Sequence, residues 1–427
     1  MRAISHVVTR PGRRLGDPAV DIPVPQDFAT VPGIPQHSKD VDFYSREYPL
    51  QRQQVEHAAD TEWAPSVGTP EMQHYHHEHQ AVMEPFYGLM NTSGNLEPTG
   101  TPTGEDVTEL IKAKARELGY LDVGITAHDR RYVYEDRRQH VKFTHAICLA
   151  LEQDFNDTQS APSMDAEHGH YGTYEVQAPL GLEMADYIRS LGYHAQVHGP
   201  SNHSAATIPM FVQAGLGQLG ANGQLLTPHA GARCRLQIIT TDAPVTYDQP
   251  IDYGFHALCQ TCQVCVDRCP GRALGREKIW WRGVEKNKLT YKRCRPVMVR
   301  YEGCAICMKV CPVNRYGAKA VMEHYLETGQ VLGKGTHGLE GYTLHPESTG
   351  KYATGYFGPG ELPVFNVEFF DIPHGTREQA TLNSYIKILA NEPPDAVPAE
   401  SDAVLQAFRN RLRSIVKGEA VSDSTMF

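Results

Sequence analysis

The stretch CQTCQVCVDRCP at residues 259–270 holds four cysteines at x2, x2 and x3 spacings and ends in Cys-Pro. A second stretch, CAICMKVCP at residues 304–312, repeats the end of this pattern, and Cys294 precedes it. An x2 spacing bends the backbone so that successive thiolates point toward the same small centre. The two stretches therefore predict cysteines that converge on inorganic cofactors, and they leave only Cys148 and Cys234 outside the pattern.

The Cys-Pro ending is that of the bacterial ferredoxin motif, in which the fourth cysteine of one run binds the cluster of the other. One [4Fe-4S] cluster is accordingly assigned to Cys259, Cys262, Cys265 and Cys311. The other is assigned to Cys294, Cys304, Cys307 and Cys269. Zinc or a disulfide framework is the alternative, but zinc sites rarely combine three cysteines at x2 spacing with Cys-Pro. The motif predicts transfer of electrons one at a time.

The composition is that of a globular protein, because 41% of the 427 residues are hydrophobic and can form a buried core. A net charge of -10 disfavours a nucleic-acid-binding surface over the whole molecule. No apolar run reaches about 18 residues, so no transmembrane helix is expected. The Arg13-Arg14 pair lacks the apolar stretch of a twin-arginine signal. Because cluster-binding cysteines must stay reduced, a cytoplasmic protein is predicted, with Cys148 and Cys234 as buried thiols.

The chain divides into four segments. Residues 1–103 are proline-rich and are expected to form an extended arm, in which His74–His79 lies on the polar surface rather than in a metal site. Residues 104–258 mix helical and strand periodicity and form the core. Residues 259–312 are the cysteine module, and residues 313–427 complete the core and the substrate pocket.

Regular periodicity begins after Thr103, which resembles a capping box with Asp106. Helices are predicted at 107–118, 176–191, 208–214, 378–391 and 402–416. Strands are predicted at 122–126, 146–151, 194–198 and 236–241. Gly119 and Gly192 fit the C-terminal ends of the first two helices.

A glycine-rich segment, QAGLGQLGANG at residues 213–223, precedes the cysteines. Backbone without Cβ atoms can approach a ligand closely. No strand precedes its Gly215-x-Gly217-x-x-Gly220 spacing, which argues against a dinucleotide fold. Together with YIRSLGYHA at residues 187–195 and the two Cys-Pro runs, the segment resembles the cobalamin-dependent reductive dehalogenases over residues 104–315.

The resemblance implies an α+β fold, in which a nitroreductase-like α/β core binds the corrinoid and a two-cluster bacterial ferredoxin-like module is inserted. It implies a base-off cobalamin beside one cluster, with electrons passing through both clusters to the cobalt. The low-valent cobalt would then attack the halogen of a small organohalide. The residues expected to contact the corrinoid are Asn202, Ser204, Gly217, Gly220, Asn222 and Gly223.

The resemblance also implies that a tyrosine supplies the proton that replaces the halide, with a cation nearby. Tyr174 is the expected donor and Tyr171 the second choice. Arg233 is the expected cation and Arg235 the other choice. A guanidinium beside a phenol favours the phenolate and thereby eases proton donation. Core packing of the rings and ion pairing of the arginines are the alternative roles.

A basic stretch between Arg268 and Arg300 stands out in an otherwise acidic chain. It could dock an acidic electron donor, contact the phosphate-bearing tail of cobalamin, or offset the cluster thiolates. A separate low-potential donor, ferredoxin or flavodoxin, is expected because no reductase module follows the cysteines.

Three other functions stay open. They are an epoxyqueuosine reductase acting on tRNA, a corrinoid reductase that reactivates or traffics cobalamin, and an electron-transfer protein without catalysis. HYGTY at residues 170–174 and the Asn222-Gly223 pair differ from the epoxyqueuosine reductase pattern, and the net acidity also argues against tRNA.

Overall fold

A computed structural model describes residues 70–129, 132–133, 137, 139–199, 204–271, 273–281, 284–289, 294, 297–298, 301–344 and 355–359. The predictions for Asn202, for most of the N-terminal arm and for helices at 378–391 and 402–416 lie outside these residues.

In chain order the helices are α1 (Pro70–Thr92), α2 (Thr108–Glu117), α3 (Phe155–Ser160), α4 (Met164–Ser190), α5 (Thr207–Gln213), α6 (Phe255–Cys262), α7 (Val264–Asp267), α8 (Ile306–Lys309), α9 (Pro312–Tyr316), α10 (Ala318–Thr328) and α11 (His337–Glu340). The strands are β1 (Asp122–Ala127), β2 (His145–Glu152), β3 (Ala195–His198), β4 (Gln218–Leu219), β5 (Leu225–Leu226), β6 (Cys234–Thr241), β7 (Leu274–Trp281), β8 (Val284–Leu289), β9 (Tyr342–Leu344) and β10 (Gly355–Phe357). Within the described residues, no helix is both long and apolar enough to cross a bilayer.

An antiparallel sheet in the order β1-β2-β6-β3 forms the middle layer of the core. Alternate residues of β2 face opposite sides, as strand geometry requires. Cys148 packs with Phe211 of α5, whereas Leu149 packs with Ile111 of α2 and Ile188 of α4. Both faces of the sheet are therefore covered, which explains the nearly continuous apolar run of β2. The mixed helix and sheet confirm the α+β expectation, and the four predicted strands are confirmed within two residues.

Helix α4 is longer than its periodicity predicts, because it begins at Met164 and not at residue 176. The hydroxyl of Ser163 accepts a hydrogen bond from the backbone N–H of Ala166 and so caps the helix. The first half of α4 carries polar and aromatic side chains toward α1, so it lacks an apolar stripe. As a consequence, Tyr171 and Tyr174 lie on a helix.

Helix α1 corrects the expectation of an extended arm for residues 70–92. Its buried side chains, Met72, His79, Met83 and Met90, are spaced by seven, four and seven residues and follow one helical face. Met83 and Met90 join the core beside α4. The surface interpretation of the histidine segment is wrong for His79, which is buried against α4.

The predicted capping box at α2 is also wrong. The N-cap is Val107, and Asp106 just before it accepts from the backbone N–H of Thr108 at 2.7 Å through Oδ1. Its Oδ2 accepts from the hydroxyl of Thr246, which ties the helix to the segment after β6. Gly119 and Gly192 adopt φ of 91° and 92°, as predicted for residues that end helices.

The cysteine segment shares one hydrophobic core with the residues on both sides of it. Leu226 and Tyr253 enter this core from before the cysteines, and Met322 and Tyr342 enter it from after them. Cys148 and Cys234 are buried as predicted, away from this segment, and burial raises the pKa of the Cys234 thiol to about 12. None of the ten cysteines, all within described parts of the chain, forms a disulfide.

Candidate cofactor and active site

The two cysteine runs contain the same local turn. In the first run, Gln263 follows Cys262 with φ of 54°, and α7 starts at the next residue. In the second run, Ala305 follows Cys304 with φ of 53°, and α8 starts at the next residue. Left-handed backbone is uncommon at residues other than glycine, so two such turns at matching positions indicate a shared structural requirement. The turn brings the cysteine on each side of it toward one centre.

The four cysteines of the first predicted cluster line one cavity: Cys259, Cys262, Cys265 and Cys311. Backbone N–H groups of Val264 and Asn314 point at the sulfurs of Cys262 and Cys311. Such N–H groups stabilise the negative charge of metal-bound thiolates.

Three cysteines of the second predicted cluster are also near one another, since Cys269 and Cys307 both act electrostatically on Cys304. The backbone N–H of Ala273 lies 3.3 Å from Sγ of Cys269. Cys294, the fourth predicted ligand, is half-buried. Cys311 of the second run thus lies with three cysteines of the first run, and Cys269 of the first run lies beside Cys304 and Cys307.

Burial makes these thiols resist ionisation. It raises the pKa of Cys262 and of Cys307 to about 12, and it raises that of Cys265 well above the usual value. A metal ion that binds a thiol removes its proton outright, so iron would replace the protons that burial retains. No three His, Cys, Asp or Glu side chains in the described parts of the chain are arranged to hold a single metal ion. In a cluster, by contrast, each thiolate binds a different iron atom. The four cysteines of the first cavity fit that donor set, and Cys269, Cys304 and Cys307 supply three such donors at the second.

The glycine-rich segment forms the β4–β5 hairpin against the first cysteine group. A Cβ at Gly217 would overlap the carbonyl oxygen of Leu226, and one at Gly220 would lie 2.7 Å from Oδ1 of Asn222. Gly223 adopts φ of 77°. Close packing within the hairpin therefore requires these glycines, and the buried Asn222 lines the cysteine cavity.

Ser204 lies elsewhere, just after β3. Its hydroxyl contacts Nδ1 of His198 at 2.7 Å, and Nε2 of the same ring contacts the hydroxyl of Thr240 at 3.0 Å. The ring of His128 stacks on His198 with centroids 5.7 Å apart. Ser204 therefore belongs to a buried polar group at the far edge of the sheet, next to the position of Asn202 in the chain.

The structure brings Arg235, rather than Arg233, to Tyr174. The guanidinium carbon of Arg235 lies 5.2 Å from the centroid of the Tyr174 ring. Arg233 instead pairs with Glu152 at 2.9 Å and lies over the ring of Phe155. Both arginines bind Gln153, Arg233 through the backbone oxygen and Arg235 through the side-chain oxygen.

The ring of Tyr171 projects from α4 toward α1. Its ring centroid is 4.6 Å from that of His76 and 4.7 Å from that of His79, and it meets Tyr174 edge-on at 6.2 Å. Tyr171 therefore holds the two helices together beside the ring that Arg235 covers.

A carboxylate between two histidines extends this group, and the sequence analysis missed it. Glu167 contacts Nε2 of His76 at 2.7 Å and Nδ1 of His170 at 3.4 Å. Burial opposes ionisation of Glu167, but the bonds from His170 and His76 prevail and hold its pKa at about 2. Burial and the charge of Arg235 lower the pKa of His170 to about 4. The spacing of Glu167, His170 and Tyr174 by three and four residues was the available signal, because it places them on one face of a helix.

No protein-family model matches the chain. It is 32% identical over 270 residues to the tetrachloroethene reductive dehalogenase of Dehalobacter restrictus and 35% identical to that of Desulfitobacterium hafniense. These matches cover 49% of the chain and 48% of each relative, so the chain spans about half the length of the curated relatives it matches. The epoxyqueuosine reductase of Cyclobacterium marinum is 33% identical over 123 residues, which cover 27% of the chain and 39% of that protein.

Two solved structures share the fold. One is a catabolic reductive dehalogenase in complex with 3-bromo-4-hydroxybenzoic acid, with a TM-score of 0.55, 25% identity, and coverage of 64% of this chain and 41% of that one. The other is a reductive dehalogenase whose structure suggests a mechanism for B12-dependent dehalogenation, with a TM-score of 0.54, 25% identity, and coverage of 65% and 41%. In sequence and in fold, the chain is thus a relative of the B12-dependent reductive dehalogenases, and epoxyqueuosine reductase is also related to it.

Proposed function

We propose that the chain carries out reductive dehalogenation of a small organohalide with cobalamin and two [4Fe-4S] clusters. The reaction consumes two electrons and one proton, replaces the carbon–halogen bond by a carbon–hydrogen bond, and releases halide. The observation that carries the proposal is the cavity that four cysteines share with Asn222 of the core. A cluster held in this cavity would lie against the same hairpin that the resemblance assigns to the corrinoid. Residues 259–312 are proposed to act as a ferredoxin-like module inserted into a nitroreductase-like core.

Cobalamin, when bound in its base-off form, supplies low-valent cobalt for removal of the halogen, and the clusters supply its electrons singly. The residues proposed to contact the corrinoid are Asn202, Ser204, Gly217, Gly220, Asn222 and Gly223. The cysteine thiolates hold the clusters, and backbone N–H groups such as that of Asn314 stabilise their charge.

Tyr174 is the proposed proton donor, because Arg235 lies over its ring and stabilises the negative charge that remains when the proton leaves. Gln153 holds Arg235 in place through its side-chain oxygen and anchors Arg233 through its backbone. Arg233 is therefore proposed to position Gln153. Tyr171 stays the second choice for the donor.

We further propose a separate low-potential electron donor such as ferredoxin or flavodoxin. A reducing compartment, the cytoplasm, is proposed because the cluster thiolates must be free at assembly.

An epoxyqueuosine reductase activity is the second candidate, favoured by the match over 123 residues. It shares the corrinoid and differs in substrate, so a substrate test separates the two proposals.

The experiment that tests the proposal is anaerobic reconstitution with iron, sulfide and cobalamin. We expect about eight iron atoms, about eight sulfides and about one cobalt per chain. Halide release is then measured with a low-potential chemical reductant, using tetrachloroethene and 3-bromo-4-hydroxybenzoic acid as probes. Protein without added cobalamin is the matched control. Failure to bind cobalamin refutes the enzyme and leaves an electron-transfer protein, whereas turnover only of epoxyqueuosine tRNA establishes the second candidate.

A further inference from the structure

Lys334 binds the end of the helix that delivers the first cysteines. Its Nζ donates to the backbone oxygen of Cys262 at 2.8 Å and to that of Thr261 at 3.3 Å. These carbonyls end α6, where the helix carries partial negative charge. The ammonium group is thus held next to a ligand of the first cysteine group, although the rest of the side chain is exposed.

The loop around Lys334 is shaped to hold it there. Gly333 and Gly335 flank the lysine with φ of 77° and 80°, values that other residues rarely adopt. The backbone N–H of Lys334 donates to the oxygen of Val331, and that of Gly335 donates to Oε1 of Glu340 at 2.7 Å. Val331 is buried in the same hydrophobic core as the cysteines. The fold therefore fixes the backbone of Lys334, and from there its Nζ reaches the carbonyls of Thr261 and Cys262.

The ammonium group of Lys334 lies next to a cysteine of the first group, because one of the carbonyl oxygens that it binds belongs to Cys262. The carboxylate of Glu340 lies on the same loop, where it accepts from the backbone N–H of Gly335. At the equivalent point of the second run the charged neighbour is an anion, since a Cβ on Gly303 would overlap Oε2 of Glu167. At this one position the two runs therefore differ in charge, with a lysine beside Cys262 and a carboxylate beside Gly303.

We propose that Lys334 raises the reduction potential of the cluster held by Cys259, Cys262, Cys265 and Cys311. Reduction adds one electron to a buried anionic centre, and a cation at short range stabilises that added charge. The lysine thereby favours reduction of this cluster over the other. The inference rests on the iron–sulfur part of the proposed function and is independent of dehalogenation.

The test is an anaerobic redox titration of the reconstituted full chain, followed by electron paramagnetic resonance. In Lys334→Gln, we expect the equilibrium constant for reduction of one cluster to fall roughly three- to tenfold, where tenfold equals about 59 mV for one electron. The other cluster serves as an internal standard and keeps its potential. Lys334→Arg keeps the charge and the potential. Lys319→Gln, which removes an exposed lysine paired with Glu323 on α10, is the matched control and changes neither cluster.

An unchanged potential in Lys334→Gln, an equal shift of both clusters, or the same shift in Lys319→Gln would overturn the inference. If Lys334→Gln fails to assemble the cluster, Nε-acetyl-lysine at position 334 removes the charge and keeps an N–H donor for the helix carbonyls. The same lowering is expected there, and no lowering refutes the role of charge. Wild-type protein that takes up no iron or sulfide refutes the cluster assignment itself, which is a distinguishable failure.

Discussion

Replacing Gly231 with alanine should disrupt the contact that joins the cysteine segment to the strand of the arginines. Gly231 adopts φ of 58°, and a Cβ there would overlap Oδ1 of Asn314. Asn314 is 2% exposed and spans the junction. Its Oδ1 accepts from the backbone N–H of Ala232 at 2.7 Å, and its Nδ2 donates to the oxygen of Met308 at 2.9 Å.

The loss of unfolding free energy can be estimated from the contacts that the new methyl group displaces. If Asn314 moves, two buried hydrogen bonds are lost, each worth about 1 kcal/mol, and buried partners left unsatisfied add about 1–3 kcal/mol. The left-handed backbone costs alanine a further 1–2 kcal/mol or so. We therefore expect Gly231→Ala to lower the free energy of unfolding by roughly 4–7 kcal/mol, which is large for a single methyl group.

Gly329→Ala is the matched control, because Gly329 adopts φ of 69° and a Cβ there would have no atom within 4 Å. Gly329→Ala should lose only the free energy of the left-handed backbone. The difference in unfolding free energy between the two variants therefore measures the effect of the overlap with Asn314. At about 1–2 °C per kcal/mol for a chain of this length, a difference of about 3–5 kcal/mol separates their melting temperatures by roughly 3–10 °C. Thermal unfolding followed by circular dichroism measures this gap.

The double variant Gly231→Ala/Asn314→Ala completes a mutant cycle. Removing the asparagine side chain first should reduce the cost of Gly231→Ala toward that of Gly329→Ala, with a coupling of about 3 kcal/mol, at the upper end of what contacting residues show. Equal destabilisation by the two glycine variants, or strict additivity in the cycle, would show that Asn314 does not join the two segments.

Three further results are expected. Tyr174→Phe should lower halide release about 100- to 10,000-fold while iron and cobalt contents stay unchanged, and unaltered turnover would exclude it as the donor. Cys262→Ala should halve the iron content, and full iron would contradict its role as a ligand. The pKa of His170 is lowered from 6.5 in the unfolded chain to about 4 in the folded protein. Between these values the unfolded chain binds a proton that the folded protein does not. The free energy of unfolding should therefore fall by up to about 3 kcal/mol as the pH drops from 6.5 to about 4. Melting curves of His170→Gln should show a shallower fall than wild type, whereas His74→Gln, an exposed histidine, should follow wild type.

Local patterns in the sequence predicted much of the core. The strands at 122–126 and 146–151 were readable because a continuous apolar run of that length suits a strand buried on both faces. Helix α1 was not predicted because only four of its 23 residues are buried and one of them is His79, so its apolar stripe is weak. The first half of α4 was not predicted to be helical, because contacts of His, Glu and Tyr side chains with α1 stabilise it. Polar pairing between elements leaves no periodic signal in either element.

The candidate site likewise has one part that the sequence predicted and another that depends on tertiary contacts. The sequence by itself determined that eight cysteines form two ferredoxin-type runs, because the spacing within each run is a local property of the backbone. Only the tertiary structure decided that Arg235 rather than Arg233 covers Tyr174, and that Asn314 and Lys334 contact the segments around the cysteines. These contacts join residues more than 60 positions apart, and their geometry depends on how the sheet, α4 and the cysteine loops pack. The spacing of residues along the chain does not predict contacts of this kind.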